Sequence, residues 1–172
     1  MYIETERILI REFTPEDVGD LHEILGDDDT MKLCEPAYGY AKTQKFLEDF
    51  CIGRRGAFAA VQKESGKVIG YILFKSIEDD IYEMGWFFNR RYWGQGYAYE
   101  TCAKVMEYAF DVVNVHKIIA ETIDTAKSVK LMEKLGMECE GVQRSQVKDN
   151  AGNRANLYLY GILREDRNKN IF

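Results

Sequence analysis

The spacing of apolar residues changes character midway along the chain. Up to residue 88 it predicts short strands behind two amphipathic helices. Ile8, Ile10 and the run Arg11 to Phe13 form the first predicted strand. Thr14-Pro15-Glu16-Asp17 then opens a helix, with Thr at the N-cap, Pro at the first helical position and acids in the first turn. Val18, Leu21, Ile24 and Leu25 share one helical stripe, which Gly26 and the run Asp27-Asp28-Asp29 end. A polar stretch around Pro36 to Tyr40 leads into a second amphipathic helix carrying Phe46, Leu47 and Phe50. Ala57 to Gln62 and Val68 to Phe74 read as strands joined by the turn Lys63 to Lys67, and Asp79-Asp80 turns the chain into a strand from Ile81 to Phe88.

Beyond that point helix and strand alternate. Ala98, Cys102, Val105, Met106, Ala109 and Val113 recur at helical spacing and predict a long helix from Tyr97 to Val113 with one buried face. Lys117 to Ile123 reads as a strand, Ser128 to Leu135 as a short helix stopped by Gly136, and Met137 to Lys148 as a long strand. Asp149-Asn150-Ala151-Gly152 signals a turn before a last strand, Leu157 to Leu163. Strands separated by helices require that part of the sheet be parallel, so the expected class is a mixed α/β domain.

Length and composition narrow the functional classes. The chain has 172 residues, 46% of them hydrophobic and 30% charged, which fits a single domain over residues 1–172 with its core over about 6–166 and excludes a disordered or collagenous chain. No window approaches a membrane span, and Met1 to Arg11 alternates charge with Ile and Leu, so a soluble, cytoplasmic protein is expected. Cys34, Cys51, Cys102 and Cys139 are scattered, with only His22 and His116 to accompany them. Reduced cysteines are therefore expected, with no metal site and no disulfide framework. The net charge of −6 argues against nucleic acid as a partner. Residues 1–82 hold 10 Lys and Arg against 17 Asp and Glu, and residues 83–172 hold 13 against 12, so the negative charge lies in the first half.

The densest chemical signal is Arg91-Tyr92-Trp93-Gly94-Gln95-Gly96-Tyr97-Ala98, between a strand and the long helix. Glycines there let backbone N–H groups converge, and a helix N-terminus adds partial positive charge, so the junction suits a phosphate group. It is not a P-loop, and the dinucleotide fingerprint needs a small residue where Tyr99 stands.

The segment R-x-x-G-x-G, here Arg91, Gly94 and Gly96, resembles the acetyl-coenzyme A pyrophosphate loop of the GNAT superfamily of N-acetyltransferases. The strand Tyr82 to Phe88 looks like that family's fourth strand. Tyr92 to Ala98 with Glu100 is similar to the branch that acetylates ribosomal-protein N-termini, and Ser128 to Met137 resembles its S-x-x-L-x-E-K-L-G-F helix and following strand. The resemblance implies a central twisted mixed sheet of about seven strands flanked by about four helices. It also implies that the amides of Arg91, Tyr92, Trp93, Gly94, Gln95, Gly96, Tyr97 and Ala98 hold the pyrophosphate of acetyl-CoA. Backbone groups near Phe87 and Phe88 would pair with the pantetheine arm where two strands splay, with the thiol end beside Ser128. One departure stands out: the family usually has Asn just before that Ser, whereas this chain reads Asp124-Thr125-Ala126-Lys127.

Acetyl transfer needs a neutral amine, and an α-amino group of pKa about 8 loses its proton far more readily than a lysine near 10.4. A carboxylate or water chain can take that proton, and backbone N–H groups at the opened strand can hold the oxyanion. By strand period Glu83 shares a face with Ile81, Gly85 and Phe87, and Glu121 with Ile119 and Ile123. Apolar surroundings are expected to raise the pKa of each, with Glu83 the preferred base because family members often carry an acid on the fourth strand. Ser128 either donates to the departing thiolate or caps its helix, and Tyr158 and Tyr160 are either donors or core residues. Trp86, Phe87, Phe88, Tyr92 and Trp93 either line a substrate tunnel or fill the core. The expected activity is transfer of acetyl from acetyl-CoA to a primary amine, with a protein N-terminus first and a small amine second. Alternatives are a nucleotide-binding oxidoreductase domain and a non-catalytic acyl-CoA sensor. The acids Asp27 to Asp29 with Glu35 could draw a cationic acceptor, and the aromatic final hairpin could support a homodimer.

Overall fold

The apolar runs assemble into one sheet that divides the molecule into two cores. A computed structural model describes residues 1–169. Its strands are β1 (Ile3–Glu4), β2 (Ile8–Glu12), β3 (Ala57–Gln62), β4 (Val68–Glu78), β5 (Ile81–Phe88), β6 (Lys117–Thr122), β7 (Glu138–Lys148) and β8 (Arg154–Leu163), and they join in the order β1-β2-β3-β4-β5-β6-β8-β7. Every neighbouring pair is antiparallel except β5 and β6, which run parallel. The helices are α1 (Val18–Leu25), α2 (Asp28–Met31), α3 (Tyr40–Phe46), α4 (Tyr97–Tyr108) and α5 (Ser128–Lys134). Both α3 and α4 continue as a wider π-helical turn, over Leu47–Gly53 and Ala109–Val113.

Burial follows the predicted stripes. Leu21, Ile24 and Leu25 of α1, with Met31 of α2 and Leu47, pack on Ala57, Ala59 and Tyr71 at one sheet face. Cys102, Val105 and Met106 of α4, with Met132 of α5, pack on Ile72, Phe74, Met84 and Ile118 at the other. Each fully buried Leu, Ile or Val contributes about 1.5–3 kcal/mol of transfer free energy, so the two layers are fixed chiefly by these stripes.

The mixed α/β class and the parallel pair match the sequence reading, while the details differ in four places. Strand β1 is an eighth strand that only two residues form, Ile3 opposite Ile10, too short to show a period. The run Asp27 to Asp29 does not simply end α1: Gly26 caps it, and Asp27 opens α2 by accepting the Thr30 amide at 2.8 Å. Strand β4 extends to Glu78, pairing Lys75 with Glu83 and Ser76 with Tyr82, and β8 begins at Arg154. Those extensions are mostly polar and mostly solvent-facing, so they carry no sustained apolar alternation. A 3-10 turn at Arg164–Lys169 follows β8.

Candidate active site

The site begins where the sheet opens. Residues Ile81, Tyr82 and Glu83 of β5 pair with Lys117, Ile118 and Ile119 of β6, and beyond Glu83 the two parallel strands part. Their open end lies toward Phe88, from which the chain turns through residues 89–96 into α4. Which backbone groups face the gap follows from register. The Asn89 amide donates to the Ile69 carbonyl of β4 at 2.8 Å. The two-residue alternation of an antiparallel ladder then directs the groups of Phe87 toward β4, and those of Met84, Trp86 and Phe88 toward the gap. The Phe88 carbonyl already accepts the Trp93 indole N–H at 2.8 Å. The groups at the gap are thus those of Trp86 and the Phe88 amide, where the sequence reading had Phe87 and Phe88.

The glycine loop is shaped for an anion. Gly94 and Gly96 hold φ of +72° and +83°, the left-handed region in which a Cβ is strained. Within the loop the Arg91 amide is taken by the Asn89 side chain, the Tyr92 amide by the Asn89 carbonyl and the Trp93 amide by the Arg90 carbonyl, at 3.1, 2.9 and 3.2 Å. Those three are spent on internal bonds, which removes them from the expected diphosphate set. Among the described residues nothing accepts from the amides of Gly94, Gln95 and Gly96, and Tyr97 and Ala98 are the first two residues of α4, whose N–H groups have no partner in the helix. These five amides at a helix N-terminus are the donors available there to an anion, a candidate anion seat. The Arg91 side chain, 80% exposed and 3.9 Å from Glu23, is free to turn to it.

A residue that sequence inspection passed over secures this loop. Arg7, just before β2, sends Nε and Nη2 to the Glu100 carboxylate at 2.7 and 2.6 Å and Nη1 to the Gln95 carbonyl at 3.1 Å. Its guanidinium also lies 4.2 Å from the centroid of the Tyr97 ring. The Thr5 hydroxyl and the Arg7 amide donate to the same carboxylate at 2.5 and 2.9 Å. Burial alone would raise the pKa of Glu100, but the Thr5 and Arg7 bonds outweigh it and hold the group below its ordinary 4.5. Nothing in local sequence pairs Arg7 with a helix ninety residues away; only the presence of Glu100 beside the loop motif hinted at it.

At the other lip of the gap, Asp124 accepts from the amides of Ala126 and Lys127 at 2.9 and 3.0 Å and so shapes the turn before α5. Lys127 occupies the N-cap of α5 and Ser128 is its first helical residue, so Ser128 is not the cap, and its half-buried hydroxyl has no partner among the described residues. Lys127 extends its ammonium over the Trp93 ring, 3.4 Å from the centroid.

A cleft of about 200 Å³ opens on the sheet face covered by α1 to α3. Tyr71, Leu73 and Phe87 form its floor, Phe46 and Phe50 one wall, and Glu35 and Tyr38 stand beside them. Tyr71 stacks on Phe87 at 5.1 Å between centroids, so the lining is continuous with the edge of the gap. Glu35 accepts the Tyr38 hydroxyl at 2.5 Å and pairs with Lys42 at 3.0 Å. Burial pushes the Tyr38 phenol well above its ordinary range, and Glu35 adds to the rise. Asn150, at the tip of the β7–β8 hairpin, donates to the carbonyls of Met31 and Glu35 at 3.2 and 3.0 Å and ties that side of the cleft down. Its own Oδ1 is buried without a partner among the described residues.

The sequence-predicted acids prove less apolar than expected. Glu83 sits at the vertex of the gap on the cleft face, but Lys75 across the β4–β5 ladder pairs with it at 2.8 Å. Glu121 is exposed, because the face it shares with Ile119 is open there. Tyr160 is 5% exposed in the core around α4 and α5, with its hydroxyl 3.4 Å from Glu133, and Tyr158 packs half-buried beside it. Trp86, Tyr92 and Trp93 pack against that same core, and of the predicted aromatics only Phe87 lines the cleft. Among the described residues no helix is long and apolar enough to cross a membrane.

The comparisons agree with this fold. Along 98% of its length the chain is 33% identical to the protein named Uncharacterized N-acetyltransferase YnaD from Bacillus subtilis strain 168, covering all of that relative. A crystal structure of a GNAT-family acetyltransferase from Bacillus anthracis superposes with a TM-score of 0.89 at 31% identity, over 96% of this chain and 99% of that one. A spermidine N-acetyltransferase from Vibrio cholerae, solved with CoA and spermine, superposes with a TM-score of 0.81 over 95% and 99% of the two chains; at 19% identity it shares the fold. Residues 7–138 match the Acetyltransferase (GNAT) domain. The chain therefore belongs to the GNAT family of N-acetyltransferases and is an acyltransferase, not a dinucleotide-binding oxidoreductase domain.

Proposed function

We propose that the protein carries acetyl from acetyl-CoA to a primary amine that enters through the aromatic cleft. The observation that carries this reading is the shared boundary of the two sites: the gap between β5 and β6 adjoins the five-amide anion seat at one end, and the cleft floor reaches its edge at Phe87. A diphosphate on Gly94 to Ala98 directs the pantetheine arm along Trp86, so that the thioester carbonyl lies by the gap. The amine nitrogen approaches from the cleft face, the Trp86 and Phe88 amides are the donors available to the tetrahedral oxyanion, and Glu83 at the vertex accepts the proton directly or through water. The free Ser128 hydroxyl can donate to the departing thiolate. The cleft volume admits a small amine or the first residue of a peptide, so a protein N-terminus of the ribosomal type remains within this reading.

Two measurements test it together. Acetyl-CoA raises the melting temperature, and a panel of primary amines and amino-terminal peptides includes one that releases free thiol from it. A folded protein that acetyl-CoA does not stabilise sinks the proposal.

A further inference from the structure

Resting on the reading of the cleft as the acceptor site, we infer that the acceptor carries two positive charges: a reacting nitrogen that loses its proton at the inner end, and a second ammonium on a short alkyl chain, held at Glu35 and the ring of Tyr38. The ends of the cleft differ chemically. Phe87, with Tyr71 stacked on it and Leu73 beside them, lines the inner end at the gap, where a cation is poorly solvated and the neutral amine that attacks a thioester is favoured. Glu35 is the single carboxylate of the lining.

What that carboxylate binds is visible in the chain itself. The Lys42 ammonium lies 3.0 Å from Glu35 Oε2 and 3.7 Å from the centroid of the Tyr38 ring, whose hydroxyl donates to Glu35 Oε1. The seat thus already holds a primary ammonium on a four-carbon stem, through a carboxylate and an aromatic face. With Lys42 and Glu35 side chains 55% and 45% exposed, that internal pair is weak and a ligand bearing the same group can displace it.

The count of charges comes from the lining, in which Glu35 is the one carboxylate. One seat therefore serves one extra ammonium, and a longer polyamine would drive further charges into apolar surroundings. In the reaction the nitrogen lone pair at the inner end forms the C–N bond and the C–S bond breaks. The sulfur leaves as CoA thiolate and gains the proton shed by the nitrogen, while the ammonium at Glu35 keeps its own throughout.

Two sources share this chemistry: a free alkyl diamine, or a peptide that begins with lysine. Thiol release from acetyl-CoA with cadaverine, pentylamine, spermine and matched peptides beginning with lysine or alanine separates them. Cadaverine is expected to exceed pentylamine in kcat/KM by about tenfold, from one ion pair and one cation–π contact. Glu35→Gln closes that gap without abolishing stabilisation by acetyl-CoA, and Lys42→Met lowers the KM for cadaverine by removing the resident competitor. A lysine peptide that outruns its alanine partner assigns the seat to protein N-termini, and cadaverine alone outrunning pentylamine assigns it to a free diamine; either result supports the two-charge acceptor. Equal rates for pentylamine and cadaverine together with equal rates for the lysine and alanine peptides, a ratio that survives Glu35→Gln, or spermine surpassing cadaverine overturns it while leaving the transferase reading intact. Silence with every amine overturns both.

Discussion

Replacing Arg7 by alanine tests whether the amino-terminal segment holds the cofactor loop in shape. The substitution removes the guanidinium contacts to Glu100 at 2.7 and 2.6 Å, the bond to the Gln95 carbonyl at 3.1 Å and the stacking over Tyr97 at 4.2 Å. The Thr5 hydroxyl and the backbone amide of residue 7 still reach Glu100. Because the paired side chains are 40% and 20% exposed, solvent screens the ion pair to about 1 kcal/mol. Adding about 0.5 kcal/mol for the ring contact and about 1 kcal/mol for the carbonyl bond gives a loss of roughly 2–3 kcal/mol. In a domain of this size that lowers the melting temperature by roughly 4–12 °C. The part that acts on Gln95 and Tyr97, about 1.5 kcal/mol, should raise the Kd for acetyl-CoA about tenfold. Thermal melts and isothermal titration calorimetry measure the two effects separately. A lower melting temperature with an unchanged Kd would refute the clamp as a device for the cofactor, and an unchanged melting temperature would refute the energetic count itself. The sign with pH follows from Glu100, whose carboxyl is held below 4.5: its contribution is complete above that value and lost as pH falls through the depressed pKa. The stability gap between wild type and Arg7→Ala should therefore be constant near neutrality and narrow below pH 4.5.

Two further outcomes follow from the site. Glu83→Gln should cut kcat by about a hundredfold or more, with little change in acetyl-CoA affinity, and an unchanged rate at saturating substrates clears Glu83 of the base role. Asn150→Ala leaves the Glu35 carbonyl without its donor and the Met31 carbonyl with the Cys34 amide alone, so the KM for the amine should rise severalfold through about 1 kcal/mol of lost order, while the Kd for acetyl-CoA stays put. An equal shift in both constants would mean that the hairpin tip supports the whole fold and not the cleft.

The features that could be read from sequence are those encoded locally. Cys102, Val105 and Ala109, spaced for one helix face, are all fully buried in the structure, and the two glycines before α4 adopt the positive φ that their position demands. Arg7, Asn150 and the Glu35 seat escaped because their partners are assembled by topology. Arg7 meets Glu100 across β1 to α4, and Asn150 meets Met31 across more than a hundred residues, at distances no periodicity encodes. The misjudged surroundings of Glu83 have a similar origin. Its alternation with Ile81, Gly85 and Phe87 was read correctly, but the Lys75 that pairs with it belongs to the polar extension of β4, which has no apolar pattern to announce it. The amide set shrank from eight residues to five because the 3-10 turn at Arg90–Tyr92 consumes donors for its own closure.

The contact between Lys127 and Trp93 changes what kind of opening the sheet contains. Strands β5 and β6 are laced together at their start, and the segments leaving them touch again at the far end, so the hole is a window with a complete frame. In the proposed reaction, donor and acceptor arrive from opposite sides of a wall and meet through the pane. At an exposed site the closing side of that frame is worth about 0.5–1 kcal/mol, weak enough to unlatch and strong enough to tie α5 to whatever fills the window.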